Sequence, residues 1–310
     1  MHERPTPQVN TSPSTHAQLV GNGYILLATI FFGLNIPAVK ALVPRWMTAE
    51  DVTAVRIIAG CALMWLTALF VRRERIDRGD WLRLAAGGIV GLFSFMYLLN
   101  LSLSYADPID VSIIMTLPPI LVMLYRALIE HTRPATLECV GILTSFVGAA
   151  LVILVEHGSA GTDNRLGELL ALLSTLCYTF YLIVMQEPNR KYRSTTTLRW
   201  TFLFAAIPAL LLTPKVAEAP LLAGQAGATP WAELIFILLG PTYFAYFLVA
   251  PANRLIGSEL VSTYQYLTPV IAAIASAAMG IAKIAPLQIA AMAIIIAGMI
   301  AANHGRRRKT

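Results

Sequence analysis

The chain has 310 residues, 57% of them apolar and 13% charged, with a formal net charge of +6 and a mean hydropathy of +0.67. Soluble domains carry about 25% charged residues, so this composition excludes a protein whose whole surface faces water. The basic excess could suit nucleic acid, but its distribution along the chain points to membrane topology instead.

Residues 1–22 open with MHERPTPQVNTSPSTHAQL, which is polar and rich in Pro, Ser and Thr. This stretch lacks the apolar core of a signal peptide and predicts a disordered cytoplasmic tail. Ten apolar runs follow, near 23–42, 52–71, 81–104, 108–129, 135–155, 167–187, 197–213, 231–250, 258–280 and 285–303. Each approaches the roughly 20 residues that a spanning helix needs. The expectation is an all-α integral membrane protein with ten transmembrane helices and a basic tail at 304–310. With the amino terminus inside, the inner segments hold 17 Lys and Arg, clustered at 72–83, 190–199 and 306–309, and the outer loops hold 4. The positive-inside rule then places both termini in the cytoplasm. Cys61, Cys139 and Cys177 fall within spans and read as small apolar packers.

The chain repeats internally. An offset of 150 pairs Trp81 with Trp231, Tyr97-Leu98 with Phe247-Leu248 and Val111-Ser112 with Val261-Ser262. The same offset pairs Leu117 with Leu267, Pro119 with Pro269 and Gly148 with Gly298. Ahead of the tryptophans, Arg56 matches Arg199 at an offset of 143, and a longer loop at 214–230 absorbs the difference. The halves are then 23–155 and 167–303, joined by an outer loop at 156–166. Five spans per half make the second half enter the membrane inverted, the plan of many secondary transporters.

The series GLNIPAVK (33–40), AVRIIAG (54–60), SIIMTLPPI (112–120), EHTRP (130–134) and VGAALVIL (147–154) resembles an EamA-type repeat of the drug/metabolite transporter superfamily. TTLRWTF, STYQYLTPVI and IIIAGMI repeat it more loosely in the second half. The resemblance covers almost all of 23–303. One departure is clear: the position matching Glu130 is Gly280. The resemblance implies a bacterial inner-membrane carrier that exports small organic metabolites, amino acids foremost, by alternating access.

Polar residues inside spans are candidate site residues. Asn35 and Pro37 predict a bend in the first helix that faces a cavity. Pro118, Pro119 and Pro269 fall mid-span and predict broken helices near the bilayer midplane, where exposed backbone is tolerated only against protein or water. Around them stand Ser112, Met115, Thr116, Ser262, Gln265 and Tyr266. Tyr97, Asn100, Tyr178, Tyr181, Tyr243 and Tyr246 are candidates to complete the wall for an amphipathic or aromatic cargo; interhelical packing is the competing role for each. Lys40 and Arg56 are candidate outer-gate residues. The competing role for Lys40 is a stem that reaches the headgroups or anchors a helix end, and that for Arg56 is pairing with Glu50 or Asp51 at the interface. Asp107-Pro108 reads as a helix start, and Glu168, Glu233 and Glu259 as acids near helix beginnings.

No phosphate-binding loop, metal-ligand cluster or nucleophile–base pair is legible in the sequence, so no cofactor and no enzyme are expected. The expected partners are the lipid bilayer and a small-molecule substrate, without nucleic acid. No acid lies near a span centre, which favours a facilitator or exchanger. A proton-coupled exporter of cationic drugs is the alternative within transport, and a membrane-embedded lipid-modifying enzyme the alternative from another class.

Overall fold

A computed structural model describes residues 15–129, 136–154 and 162–307, and every regular element among them is helical. In the first half these are α1 (Thr15–Leu42), α2 (Ala49–Ala68), α3 (Asp80–Ala86), α4 (Ser94–Tyr105), α5 (Pro108–Ile114), α6 (Pro118–Leu128) and α7 (Thr136–Leu154). In the second they are α8 (Thr162–Val184), α9 (Gln186–Lys191), α10 (Ser194–Leu210), α11 (Ala228–Ile237), α12 (Ala245–Tyr264), α13 (Thr268–Ala278) and α14 (Pro286–Arg307). π-helical turns, Gly87–Phe93 and Leu238–Phe244, join α3 to α4 and α11 to α12. Five continuous helical runs are long and apolar enough to cross a bilayer: Gln18–Leu42, Ala49–Ala68, Asp80–Tyr105, Asn164–Val184 and Ala228–Val249. Large side chains such as Leu69, Phe70, Leu143, Ile274 and Ile300 lie on the outer surface. An apolar exterior of this kind is what lipid tails solvate, and the chain is a helical membrane protein.

Local chemistry sets the helix ends. Thr48 and Asp51 form a reciprocal capping box at the start of α2. Asp107 caps α5 through Ile109 N–H at 2.8 Å, with Pro108 in the first turn. The span expected at 108–129 is interrupted: α5 ends at Ile114 and α6 begins at Pro118. The second half breaks at the matching place, with a 3₁₀ turn at Gln265–Leu267 and Pro269 in the first turn of α13. Gly280 follows α13 with φ +67°, and Ile281 N–H returns to the Ser276 carbonyl. That left-handed closing turn favours glycine, which accounts for Gly280 where the first half has Glu130; Glu130 itself lies outside the described residues. Several boundaries differ from expectation: α1 starts at Thr15, inside the stretch expected as a disordered tail, α8 starts at Thr162, inside the expected outer loop, and α14 runs to Arg307, into the expected basic tail. The loop predicted between 250 and 258 is absent, and α12 runs on to Tyr264. Proline at 108 bars the preceding residue from helical geometry, and Ser258 at the matching position imposes nothing of the kind.

The helices of one half pack against those of the other. α1 lies antiparallel along α11–α12: Phe31 meets Phe236, Phe32 meets Tyr246, and Gly21 closes on Leu255 and Ile256. α8 lies in the same way along α3–α4, through Gly167 on Ala106, Phe95 on Tyr178 and Gly91 on Tyr181. α2 pairs with α10, where Phe202 fills the space left by Gly60. α7 pairs with α14 through reciprocal close contacts. Gly148 faces Ala291 and Ile295, and Gly298 faces Gly141 and Ser145. Small residues let helices approach closely in lipid, where dispersion drives association.

At the end of the bundle that carries residues 72–83, ion pairs tie the halves together. Lys191 Nζ donates to Asp77 and, at 2.8 Å, to Asp80, which also accepts from Tyr192 Oη at 2.8 Å. Arg193 pairs with Glu74 at 3.4 Å. Hydrogen bonds from Lys191 to Asp77 and Asp80 hold its ammonium above the usual lysine pKa. The stabilisation is therefore complete at neutral pH and fades only as pH rises through that elevated value.

Gly298→Leu should lose about 1–3 kcal/mol of stability, read as a lower melting temperature in detergent. The Gly141 carbonyl, 2.7 Å from any added Cβ, cannot step aside; an unchanged melting temperature would show that α7 and α14 separate freely. Lys191→Glu should accelerate amide exchange in 74–83 and 187–193 relative to the rest of the bundle. Unchanged exchange there would mean that the ion pairs do not hold this end shut.

Candidate functional site

The most buried polar cluster in the expected site region lies between α2, α4 and the π turn before α12. Arg56, 3% exposed, stands in the third turn of α2, roughly 10 Å along the axis from Ala49. Its Nε donates to Thr242 Oγ1 at 3.0 Å and its Nη1 reaches Asn100 Oδ1 at 3.5 Å. Both acceptors are themselves fixed. Thr242 donates to the Ile237 carbonyl at 2.7 Å. Asn100 Nδ2 donates to Thr53 Oγ1 at 2.9 Å, and Thr53 donates to the Ala49 carbonyl. One turn along α4, Tyr97 Oη donates to Glu50 Oε1 at 3.1 Å. A charge at a helix centre in lipid costs about 2.5–3.5 kcal/mol on insertion scales, and this polar cradle lowers that cost for Arg56 without neutralising its charge.

One expectation is corrected by these contacts. Arg56 does not pair with Glu50 or Asp51: Glu50 is taken by Tyr97, and Asp51 accepts from Thr48 N–H in its own helix cap. Lys40 is held at a helix end. Its Nζ donates to the Leu103 and Ala106 carbonyls at 2.8 and 3.0 Å, satisfying groups that the end of α4 leaves open.

The other candidates divide by environment. Asn35 is buried, and its Oδ1 has no partner among the described residues. Ser112 and Thr116 donate to carbonyls of their own helical turns, while Met115 Sδ accepts from Thr175 at 3.3 Å. Pro119 and Pro269 stand at the restarts of the broken helices. Tyr266 is packed in the main apolar core. Tyr178 and Tyr181 stack on each other beside Phe95, and Tyr181 also packs on Leu84 and Met185. Tyr246 sits edge-on between Phe32 and Phe202, and Tyr243 shares a hydrogen bond with Thr67. The side chains of Ser262 and Gln265 lie outside the described residues. The structure thus gathers Arg56 and Asn100 with Tyr246, and the stacked Tyr178 and Tyr181 lie within electrostatic reach of that same Tyr246.

Several polar contacts were not legible in the sequence. Thr53 could have been found, being one turn before Arg56 on the same helix face; Thr242 could not, since only tertiary packing brings it there. Asp110 and Glu168 occupy early turns of their helices as expected, yet each is 1% exposed. Asp110 accepts from Gln288 Nε2 at 2.8 Å, and Glu168 from Asn164 Nδ2 at 2.8 Å. Arg199, the repeat counterpart of Arg56, is also buried, with its guanidinium 5.6 and 5.7 Å from the ring centres of Trp65 and Trp200. At the end opposite the ion pairs, a cavity of about 510 Å³ opens between Thr48, Glu50 and Asp51 at the start of α2 and Leu211, Glu218 and Pro220 beyond α10. Among the described residues no group of three His, Cys, Asp or Glu side chains is placed to hold a metal.

Comparison with known proteins agrees with this architecture. The transporter YyaM of Bacillus subtilis, described as uncharacterized, is 24% identical over 292 residues, covering 91% of this chain and 93% of that protein. YicL of Salmonella typhimurium, described as an uncharacterized inner membrane transporter, is 22% identical over 293 residues, covering 92% and 95%. A solved crystal structure shares the fold with a TM-score of 0.62 at 20% identity, covering 96% of this chain and 100% of that one. The EamA-like transporter family matches twice, over residues 19–154 and 165–303. With nearly its whole length accounted for by two copies of that domain, the chain belongs to the EamA-like transporter family.

Proposed function

We propose that this protein is a secondary carrier exporting small organic metabolites, amino acids foremost, across a bacterial inner membrane. Ten spans form two inverted five-helix halves: α1, α2, α3–α4, α5–α6 and α7, then α8, α10, α11–α12, α13 and α14. Both termini face the cytoplasm. The ion-paired end of the bundle is then the cytoplasmic mouth, and the cavity beside Glu50 and Asp51 the outer one. Cargo binds near the midplane, between the helix restarts at Pro119 and Pro269, and the halves rock about it so that one mouth opens as the other closes.

The observation that carries this reading is the family domain found twice in one chain. It is supported by the matched helix breaks at 115–117 and 265–267 and by the crosswise pairing of α1 with α12 and α8 with α4. An in-plane axis between the halves accounts for that exchange of partners. A family of transporters makes a lipid-modifying enzyme the weaker reading. The buried Asp110 and Glu168 favour one variation, in which a proton accompanies the cargo. A cationic drug is the poorer cargo, because Arg56 would repel it.

Counterflow in proteoliposomes tests this, using purified protein, labelled amino acids and no ion gradient. Accumulation of at least one amino acid is expected. Movement of a cationic dye alone, and only under a proton gradient that Glu168→Gln makes ineffective, would replace facilitated export with the proton-coupled reading. Pro119→Ala and Pro269→Ala should lower transport about tenfold or more while leaving the yield of inserted protein within about twofold. Equal loss of both would make the prolines structural and remove them from the site.

A further inference from the structure

We infer that Arg56 is the anion-binding point of the carrier and that its cargo carries a carboxylate; this rests on the transport reading above. A guanidinium keeps its proton under all ordinary conditions, and buried charges are normally paired. Arg56 is buried, yet no carboxylate lies against it among the described residues. Its two acceptors, Thr242 and Asn100, are neutral, and the Asn100 contact is at the 3.5 Å limit. The nearby Tyr246 phenol is uncharged at neutral pH. The carboxylates close at hand, Glu50 and Asp51, are held by Tyr97 and by the cap of α2. Arg199, the matching residue of the other half, has two indole rings beside it; Arg56 has no such ring contact among the described residues.

Geometry agrees with charge. Thr242 and Asn100 occupy two of the five guanidinium N–H donors and are each anchored by a second hydrogen bond, so the fork is pre-organised. The remaining donors suit the planar, bidentate geometry of a carboxylate. The cavity of about 510 Å³ is lined by Glu50, Asp51 and Glu218 and not by Arg56, which stands about 8 Å beyond Asp51 along the axis of α2, so a carboxylate passes those acids before it meets the guanidinium. An arriving carboxylate supplies the missing countercharge, and its binding energy is then tied to a residue that bridges α2 with the π turn of the other half.

The experiment uses the full-length protein in nanodiscs, with 4-methylpentanoate and its uncharged amide, 4-methylpentanamide, as probes at matched ionic strength. Asn100→Asp is the decisive variant. It places a carboxylate within reach of Nη1 at almost no change in shape, with Thr53 Oγ1 turning from the Ala49 carbonyl to donate to the new acid in place of the lost amide donor. If Arg56 only holds helices together, Asn100→Asp preserves the wild-type response to both probes. If Arg56 instead receives the cargo carboxylate, the variant folds with wild-type or higher thermal stability, yet binds 4-methylpentanoate about 10- to 100-fold more weakly. Arg56→Gln should lose the same discrimination, and Arg56→Lys should retain a weakened preference for the acid. Equal binding of acid and amide by the wild type, or an unchanged acid affinity in Asn100→Asp, overturns the inference. Counterflow of L-leucine in parallel separates the two claims. Carboxylate binding without any transport leaves the site standing and removes the export reading. Transport of leucine with full affinity in Asn100→Asp does the reverse.

Discussion

A helix that stops among packed apolar side chains leaves carbonyls at one end and amides at the next, and every such group that water does not reach needs a partner from the protein. The junction between α4 and α5 depends on this constraint more visibly than any other place in the molecule. Lys40 from α1 takes the Leu103 and Ala106 carbonyls. Asp107 takes the Ile109 amide, and Asn164 from α8 takes the amide of Asp107 itself. Two helices from different halves are thus fixed against one break by side chains that would otherwise be costly in lipid. Gln288 plays a similar part at the start of α14, accepting from Ala285 N–H and donating to Asp110. The polar residues scattered through this apolar chain stand largely where its backbone is interrupted.

Arg56 departs from that pattern. It bridges side chains rather than rescuing backbone, and its partners carry no charge. The ion pairs at the opposite end of the bundle are mutually neutralising. Lys191 with Asp77 and Asp80, and Arg193 with Glu74, join the two halves; the exposed Lys191–Asp77 pair is of the weak, screened kind, whereas Asp80 is buried and also accepts from Tyr192. The close contacts of α7 with α14 at Gly148 and Gly298 leave no room for a side chain between those two helices.

Much of this was legible in the sequence, and the reasons are physical. Hydropathy marks the spans because lipid admits few polar residues, and the 150-residue offset marks the duplication because Trp81, Pro119 and Gly148 recur at it. The breaks at Pro118 and Pro269 could be read because proline removes a backbone donor wherever it stands. The partners of Lys40 and Arg56 could not. Each was judged by its distance from the end of its own helix, which says nothing about a carbonyl 63 residues away or a threonine 186 residues away. The buried side chains of Asp110 and Glu168 escaped for a related reason: a position in an early helical turn does not reveal whether a neighbouring helix covers it. Of the tyrosines named as a candidate cavity wall, Tyr181 packs in an apolar cluster and stacks on Tyr178, and both stay within reach of Tyr246 beside Arg56.

The central claim is that the two halves move against each other, exchanging which mouth is open. Electron-spin distance measurements in proteoliposomes test it most directly. One label pair would span the outer mouth at Arg45 and Leu222, and another the ion-paired mouth at Arg78 and Glu187. On addition of a transported amino acid, the populations of the two distances should shift in opposite senses, one lengthening as the other shortens. Distances that stay fixed at both ends, or that lengthen together, would contradict alternating access.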